Sequence, residues 1–374
     1  MKKLTLSISA IFAIALAAEA EAASSYEYKQ LYKDPKSMGM GGTGVASGGS
    51  FGAMFNNPAG LTRIPKEYGW EFQVLGISAA INENALDLQD IVDSADDDAK
   101  IAEELDKHIG DHFHFDMGVV PFSIAKMFDE TAFALGTVAS ANFSATAHQG
   151  FGSQGVLDVD AVAVGGAAAG IAHDFNDLSI GGYALNRLTI GVGAKVLQYG
   201  YITRQYSAAD IANEEFDNID DDLEEGSSIV GDLGVIYDIF PNISVGFSAL
   251  NIGGIADDTI PMTLNAGVSY VYRISNESFF NQVRASADYI DISREYTDSS
   301  YMKRLRIGAD LNVWDGSFST FAVQAGFYQG SYTAGANLRL AIVDLSFATY
   351  AEELGAYSGQ DSDRRYVGSF GFSW

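Results

Sequence analysis

Cysteine is absent from the 374 residues, so the chain has no disulfide framework, no thiolate chemistry and no lipoprotein anchor residue. Cations are scarce: 22 Lys and Arg stand against 49 Asp and Glu, a formal net charge of −27. Nucleic-acid binding requires clustered Lys and Arg to displace counterions from phosphates, so that class is excluded. Proline is rare, 6 residues beside 40 glycines without a three-residue period, which excludes a collagen-like chain. A hydrophobic fraction of 47% excludes disorder. After the N-terminal stretch, no uninterrupted apolar run reaches the roughly 18 residues of a transmembrane helix. Membrane residence would therefore use strands.

What is present begins with an export address. Lys2 and Lys3 form a basic region, Leu4 to Ala18 an apolar one, and Ala18, Ala20, Ala22 and Ala23 offer signal-peptidase sites. Cleavage after Ala22 is expected, because the apolar run is shorter than the roughly 20 residues of a span and is followed by Glu19 and Glu21. The destination is the periplasm, outer membrane or exterior of a diderm bacterium. Three parts follow: a signal peptide over 1–22, a Gly-rich compact segment over 23–66, and a strand-rich region over 67–374.

From Glu67 onward, apolar and polar residues alternate in runs of about ten, the dyad signature of a transmembrane barrel. Leu305, Ile307, Ala309, Leu311 and Val313 share one face; Arg304, Arg306, Asp310 and Asn312 share the other. Val283, Ala285, Ala287 and Tyr289 oppose Arg284, Ser286 and Asp288 in the same way. About fourteen strands are expected, an even number as in bacterial barrels. They begin near Tyr68, Phe113, Ala132, Val156, Leu188, Ile229, Ile243, Met262, Val283, Met302, Phe318, Tyr332, Val343 and Tyr366. With both chain ends in the periplasm, odd connections lie outside the cell. The acidic stretches from Asn82 to Asp111 and from Ala208 to Glu225 then face the exterior, while short connections such as Asp238–Asn242 are periplasmic turns. The long connection from Asp174 to Arg187 fits this scheme less well. Apolar residues Ile91, Ala95, Ile101, Leu105 and Ile109 recur at roughly helical spacing, so a surface helix above the barrel, placed as a cap on its mouth, is one reading of that loop.

The final strand, Tyr366 to Trp374, sets Tyr366, Phe370, Phe372 and Trp374 on one face, suited to an aromatic girdle at the lipid interface. It resembles the C-terminal signal read by the barrel-assembly machinery, a partner expected alongside outer-membrane lipid.

Gly39, Gly41 and Gly44 match a dinucleotide fingerprint literally, but no strand precedes them and no acidic residue follows at the required distance, so tight backbone packing is the reading. Arg284, Arg304 and Arg306 with Asp288 and Asp310 must point into a lumen, since an Arg facing lipid at the midplane costs about 2–4 kcal/mol. They are expected to form a salt-bridged network, or a patch for a ligand carboxylate. His112, His114 and Asp116 alternate on one face and are read as lumen or rim groups rather than metal ligands. No Ser, His and acid arrangement is recognisable, so no catalytic role, cofactor or metal is expected.

The segment Gly39 to Gly48 followed by Asn57, Pro58, Ala59, Gly60 and Leu61 resembles the N-terminal plug of the FadL-like long-chain fatty-acid transporter superfamily. A second resemblance, carried by Ala325 to Gly330, Thr333 to Leu338, Tyr350 to Tyr357 and Asp363 to Tyr366, is to the outer-membrane proteins labelled conjugal transfer TraF, a branch of the same barrel superfamily. The first resemblance implies a fourteen-stranded barrel with a hatch whose turn is Asn57, Pro58 and Ala59, admitting hydrophobic or amphipathic small molecules that leave sideways into the bilayer. The second implies an envelope accessory to conjugation or secretion. A lateral exit requires an irregular strand, and Gly165, Gly166 and Gly170 mark the expected place for one, since strand glycines often signal bulges.

Overall fold

The structure is a computed structural model that describes residues 27–64, 69–88, 98–149, 155–176, 179–180, 183–184, 186–207, 223–256, 259–274, 280–296, 300–316 and 318–374. The expected signal peptide and most of the acidic stretch after Ala208 lie outside these residues.

Fourteen strands close into one antiparallel barrel. They are β1 (Trp70–Asn82), β2 (His112–Phe128), β3 (Thr131–Gln149), β4 (Gly155–Phe175), β5 (Leu188–Ser207), β6 (Glu224–Phe240) and β7 (Ile243–Ile252). The second half comprises β8 (Thr263–Arg273), β9 (Gln282–Tyr289), β10 (Leu305–Gly316), β11 (Ser319–Tyr328), β12 (Ser331–Leu340), β13 (Val343–Glu353) and β14 (Ser362–Ser373). Each strand pairs with its sequence neighbours, and β1 seals against β14 from Gln73 opposite Ser373 to Asn82 opposite Arg365. Closure leaves no free sheet edge. The connection after β4 carries a small hairpin, Ser179–Ile180 with Tyr183–Ala184, which accounts for its length. Among the described residues no helix is long and apolar enough to cross a membrane.

The alternation places oil outside. Phe133, Leu135, Val192, Val196, Phe247 and Phe327 are exposed on the outer surface, whereas Lys195, Asp232, Asp288, Arg306 and Gln324 are buried inside. A water-soluble sandwich would reverse this arrangement. The outward row of the last strand holds as expected, with Tyr366, Phe370 and Trp374 exposed. Trp374, Phe72, Phe122 and Trp70 form a chain of ring contacts at the edge of the seam where the last strand ends.

Some expectations require correction. β6 begins at Glu224 rather than Ile229, and β14 at Ser362 rather than Tyr366, because pairing continues through polar residues that lack an apolar signature. β10 begins at Leu305; Tyr301–Arg304 is a helical turn, so Arg304 is not a strand residue. Val313 leaves the outward row: a register shift between Asn312 and Trp314 turns Val313 inward and Trp314 outward.

The strands β2 to β5 have 17, 19, 21 and 20 residues. About 9–11 residues cross a bilayer, so these four rise well beyond it. In the surplus, outward Phe113, Phe143, Ala145, Ala147, Leu157, Val159 and Tyr206 are nevertheless buried. Leu105 of the helix Asp98–Lys107 covers them, with Leu88 and Leu223 packed beside it. Over Asp98–Lys107 the helix expected above the barrel exists but clads the outer wall rather than capping the mouth; Ile91 and Ala95 of the expected apolar row lie outside the described residues, and Ile109 is exposed beyond the helix end. Amphipathic spacing reports that one face is buried, not what buries it.

Candidate functional site

Residues 27–64 occupy the lumen, since their side chains and backbone meet inward faces on opposite sides of the wall. Three short turns shape the segment, each capped by the polar residue before it. The Asp34 carboxylate accepts from the amide of Ser37 at 3.3 Å, the Ser50 hydroxyl from Gly52 at 3.2 Å, and the Asn57 side-chain oxygen from Ala59 at 3.0 Å. Pro35 and Pro58 each open the turn that follows, where the missing N–H costs nothing.

Asn57 is fully buried and uses both ends of its amide. Nδ2 donates to the carbonyls of Val45 at 2.7 Å, Val235 at 3.2 Å and Phe247 at 3.2 Å, joining the segment to β6 and β7. Wall glycines create the space: a Cβ at Gly234 would collide with Asn57 Oδ1, and one at Gly191 with the amide of Ala59. Gly41 and Gly42 adopt φ of 70° and 72°, and a Cβ at Gly41 would lie 2.7 Å from the carbonyl oxygen of Phe327, so the fingerprint-like glycines serve backbone contact with the wall. Asn57, Pro58 and Ala59 thus sit together as a buried turn between β5, β6 and β7.

Two sets of ionic contacts hold the segment's ends. At the end of the barrel that carries the β13–β14 connection, Glu27 meets Arg365 at 2.6 Å and Lys33 at 3.4 Å, and Lys33 meets Glu352 at 3.2 Å, all buried. Burial alone would raise the Glu27 carboxyl, but the Arg365 and Lys33 charges hold it well below the usual carboxylate range. Burial likewise opposes charge on Lys33, yet Glu352 and Glu27 hold its ammonium well above the usual range. Lys29 also pairs with Asp160. At the opposite end, Arg63 meets Asp238 at 2.6 Å, Arg187 meets the same carboxylate at 2.8 Å, and the Thr62 hydroxyl donates to Asp174 at 2.7 Å.

The arginines and aspartates expected to pair with one another are buried or partly buried on the inner side, but four of the five, Arg304, Arg306, Asp288 and Asp310, find other partners. Arg304 pairs with Asp291 at 3.1 Å. Arg306 stacks on Tyr328, 3.7 Å from the ring centroid, and donates to the carbonyl of Lys303. Asp288 accepts from the amides of Gly44 at 2.6 Å and Val45 at 2.9 Å, and Asp310 accepts from Gln324 at 2.8 Å. Arg284 lies opposite Asp310 in the ladder, and no ion pair joins them among the described residues. Contacts to the lumen segment, to loops and to side chains of β11 therefore stand where ion pairs among these residues were expected. His112 bonds Thr146 and Asp361, each at 2.9 Å, and His114 bonds Ser144 at 2.9 Å.

The β2 to β6 side of the lumen is apolar. Val138, Val162, Val164, Leu197 and Val230 face inward against Leu31 of the segment and Ile255, Ala256 and Ile260 of the β7–β8 loop. Lower down, Phe51, Met54 and Leu61 pack on inward Val120, Ala132, Ala134 and Ala168. A cavity of about 270 Å³ separates the segment from the wall at β12, β13, β14 and β1. Its lining mixes Tyr32, Phe51 and Val120 with Asp34, Lys36, Gln73 and Arg339, and reaches Ile77 and Phe370, which face outward.

The wall is irregular there and not where the glycines of β4 were expected to break it. Gly165, Gly166 and Gly170 belong to ladders that run without a register shift on both sides of β4. Their small size serves packing: a Cβ at Gly170 would collide with Met54, and Gly165 lines a groove on the outer surface. The register instead shifts between Val74 and Ile77 in β1, where Leu75 has φ 54°, and between Val119 and Phe122 in β2. Pro121 interrupts β2 at that point, and a proline inside a strand is itself a sequence signal for a bulge.

No protein-family model matches the chain, and no curated protein matches it. Solved structures do. The toluene transporter TbuX of Ralstonia pickettii is 13% identical, with 92% of this chain and 99% of that chain covered at a TM-score of 0.53. The TodX monoaromatic hydrocarbon channel, as its deltaS2 mutant, is 11% identical over 92% of this chain and 97% of that one, at 0.51. At such identities the likeness is one of fold alone, that of a closed antiparallel barrel of fourteen strands.

Proposed function

We propose that the chain is an outer-membrane channel for passive uptake of small hydrophobic or amphipathic molecules, with residues 27–64 as its hatch. The observation that carries this reading is the cavity beside the segment, which borders both lumen residues such as Tyr32 and Asp34 and lipid-facing residues such as Ile77 and Phe370. A lateral exit belongs at the paired irregularities of β1 and β2, around Gly76 and Pro121, rather than at Gly165 and Gly166. The energetics favour sideways release: each methylene prefers an apolar phase to water by about 0.8 kcal/mol, so lipid attracts such a molecule more than the periplasm does. The printed functions of the two barrels of like fold, toluene transport and monoaromatic hydrocarbon passage, support the same class of cargo.

A second reading, an accessory barrel for conjugal transfer or secretion, is favoured by one observation: the exterior half beside β13 and β14 is packed with buried ion pairs around Glu27, Lys33, Glu352 and Arg365. A deletion strain separates the two. Slower uptake of radiolabelled toluene, restored by the wild-type gene, supports the channel; undiminished uptake with lost plasmid transfer replaces it with the second reading.

A further inference from the structure

The lumen of a membrane barrel is ordinarily polar, yet Val138, Val162, Val164, Leu197 and Val230 make one inner face apolar. Such a face requires an oily occupant. The chain supplies one from its own exterior loop between β7 and β8, where Ile255 and Ile260 are 0% and 2% exposed. These two residues form an isolated bridge, each amide donating to the other's carbonyl at 3.1 Å. Beside Ile260 a cavity of about 70 Å³ remains, bordered by Leu31, Tyr32, Phe55 and Pro261 and also by the polar Asn56, Lys195, Asn251 and Asn265.

We infer that this loop is a stopper whose Ile255 and Ile260 side chains stand in the subsite of a small uncharged hydrocarbon, and that the hydrocarbon displaces them on entry. The inference rests on the channel reading above and specifies its ligand. Size agrees: Ile260 lines the empty space and Ile255 is bridged to it, so withdrawal of the two side chains enlarges that space toward the roughly 150 Å³ at which an apolar cavity takes up benzene. Charge agrees as well. The cations bordering the small cavity are committed, Lys195 to Asp232 at 2.7 Å and Asn251 at 3.0 Å, and Lys29 to Asp160. A carboxylate ligand would have to break one of these pairs, whereas a neutral one breaks none.

The backbone provides a pivot. Asn251 is held by Lys195 and by Asp232, which accepts its amide at 2.9 Å, so the strand end is fixed. Directly after it, Gly253 and Gly254 take φ of 114° and 71°, values glycine adopts without strain. Among the described residues, the stopper beyond them is held by apolar packing and one bridge rather than by a ladder.

The natural absence of cysteine makes the test clean. A single Ile255→Cys variant, embedded in lipid vesicles, is treated with a maleimide reagent with and without toluene, while uptake of labelled toluene is followed in the wild-type protein. Labelling is expected to be slow in the closed state and to rise about tenfold with toluene at ten times its dissociation constant for the open state, following the open population. Octanoate at equal concentration is expected to leave it slow. A second variant, Ile255→Ala with Ile260→Ala, is expected to take up toluene several-fold faster. If wild-type protein takes up toluene while labelling of the Ile255→Cys variant stays unchanged, or if that variant labels rapidly without toluene, the stopper is overturned and the channel stands. If wild-type protein takes up no toluene, the channel reading falls, and the stopper with it.

Discussion

Replacement of Asn57 by alanine removes four hydrogen bonds at one buried point and thereby tests whether the turn fastens residues 27–64 to the wall. The Val235 and Phe247 carbonyls belong to paired strands, so the larger losses are at the Val45 carbonyl and the Ala59 amide. A buried polar group deprived of its partner costs about 1–3 kcal/mol, so the loss at these two groups is expected to destabilise the docked segment by roughly 2–6 kcal/mol. The low end corresponds to about a 30-fold rise in the detached population. Protease cutting within residues 27–64 of the folded, detergent-solubilised protein reads that population when opening is fast relative to cleavage. Asn57→Asp sharpens the test, because it keeps the cap on Ala59 but turns a carboxylate oxygen toward three carbonyls. It is expected to be cut at least as fast as Asn57→Ala despite its nearly identical shape. Wild-type cutting rates in Asn57→Ala, or an aspartate variant as resistant as wild type, would refute the reasoning.

The wall irregularity yields a paired expectation: Gly76→Val together with Pro121→Val lowers toluene uptake several-fold by regularising the seam, while Gly165→Ala, whose new Cβ meets Ala139 at an ordinary 3.7 Å, leaves uptake unchanged. Equal effects of the two changes would contradict this exit. Leu105→Ala, at a fully buried position outside the barrel, is expected to loosen the helix Asp98–Lys107 by about 2–5 kcal/mol, seen as faster proteolysis there, with uptake unchanged. Glu27 is depressed in the folded state, so its contribution is present above the unfolded carboxylate pKa and is lost as pH falls through the lower folded value. The segment should resist protease at pH 5 and lose protection only in acid below the ordinary carboxylate range; loss already between pH 6 and 5 would contradict the pairing. Glu27→Gln is expected to abolish that acid step and to cost about 3–5 kcal/mol at neutral pH by leaving Arg365 partly uncompensated, measured by the same proteolysis.

Period-two alternation made the barrel legible, because a lipid-facing row and a lumen-facing row must exchange at every residue for as long as a strand crosses the membrane. It failed where that constraint ends. The polar starts of β6 and β14 carry no oily row, and the shift at Asn312 reverses the phase without changing composition. The Asn57 turn could be placed in sequence because Asn before Pro is a local capping signal, whereas its carbonyl partners, Val235 and Phe247, lie far along the chain. The partners of Arg304 and Asp288 were illegible for the same reason: loop residue Asp291 and the backbone of Gly44 reach them by tertiary course alone. Gly165 and Gly166 misled because a strand glycine marks close packing as readily as a bulge. Pro121 was the readable mark of the true irregularity. Ile255 and Ile260 carried no signal, since two isoleucines in a loop between short strands look like any others.

The central claim is that a closed barrel with a filled lumen passes small neutral hydrocarbons through its wall and passes little else. Parallel measurement of toluene flux and ionic current on the same reconstituted protein tests it most directly. The account predicts toluene flux above that of protein-free vesicles with no steady ion conductance. Sustained open-channel current in the wild-type protein, or toluene flux no greater than through lipid alone, would contradict it.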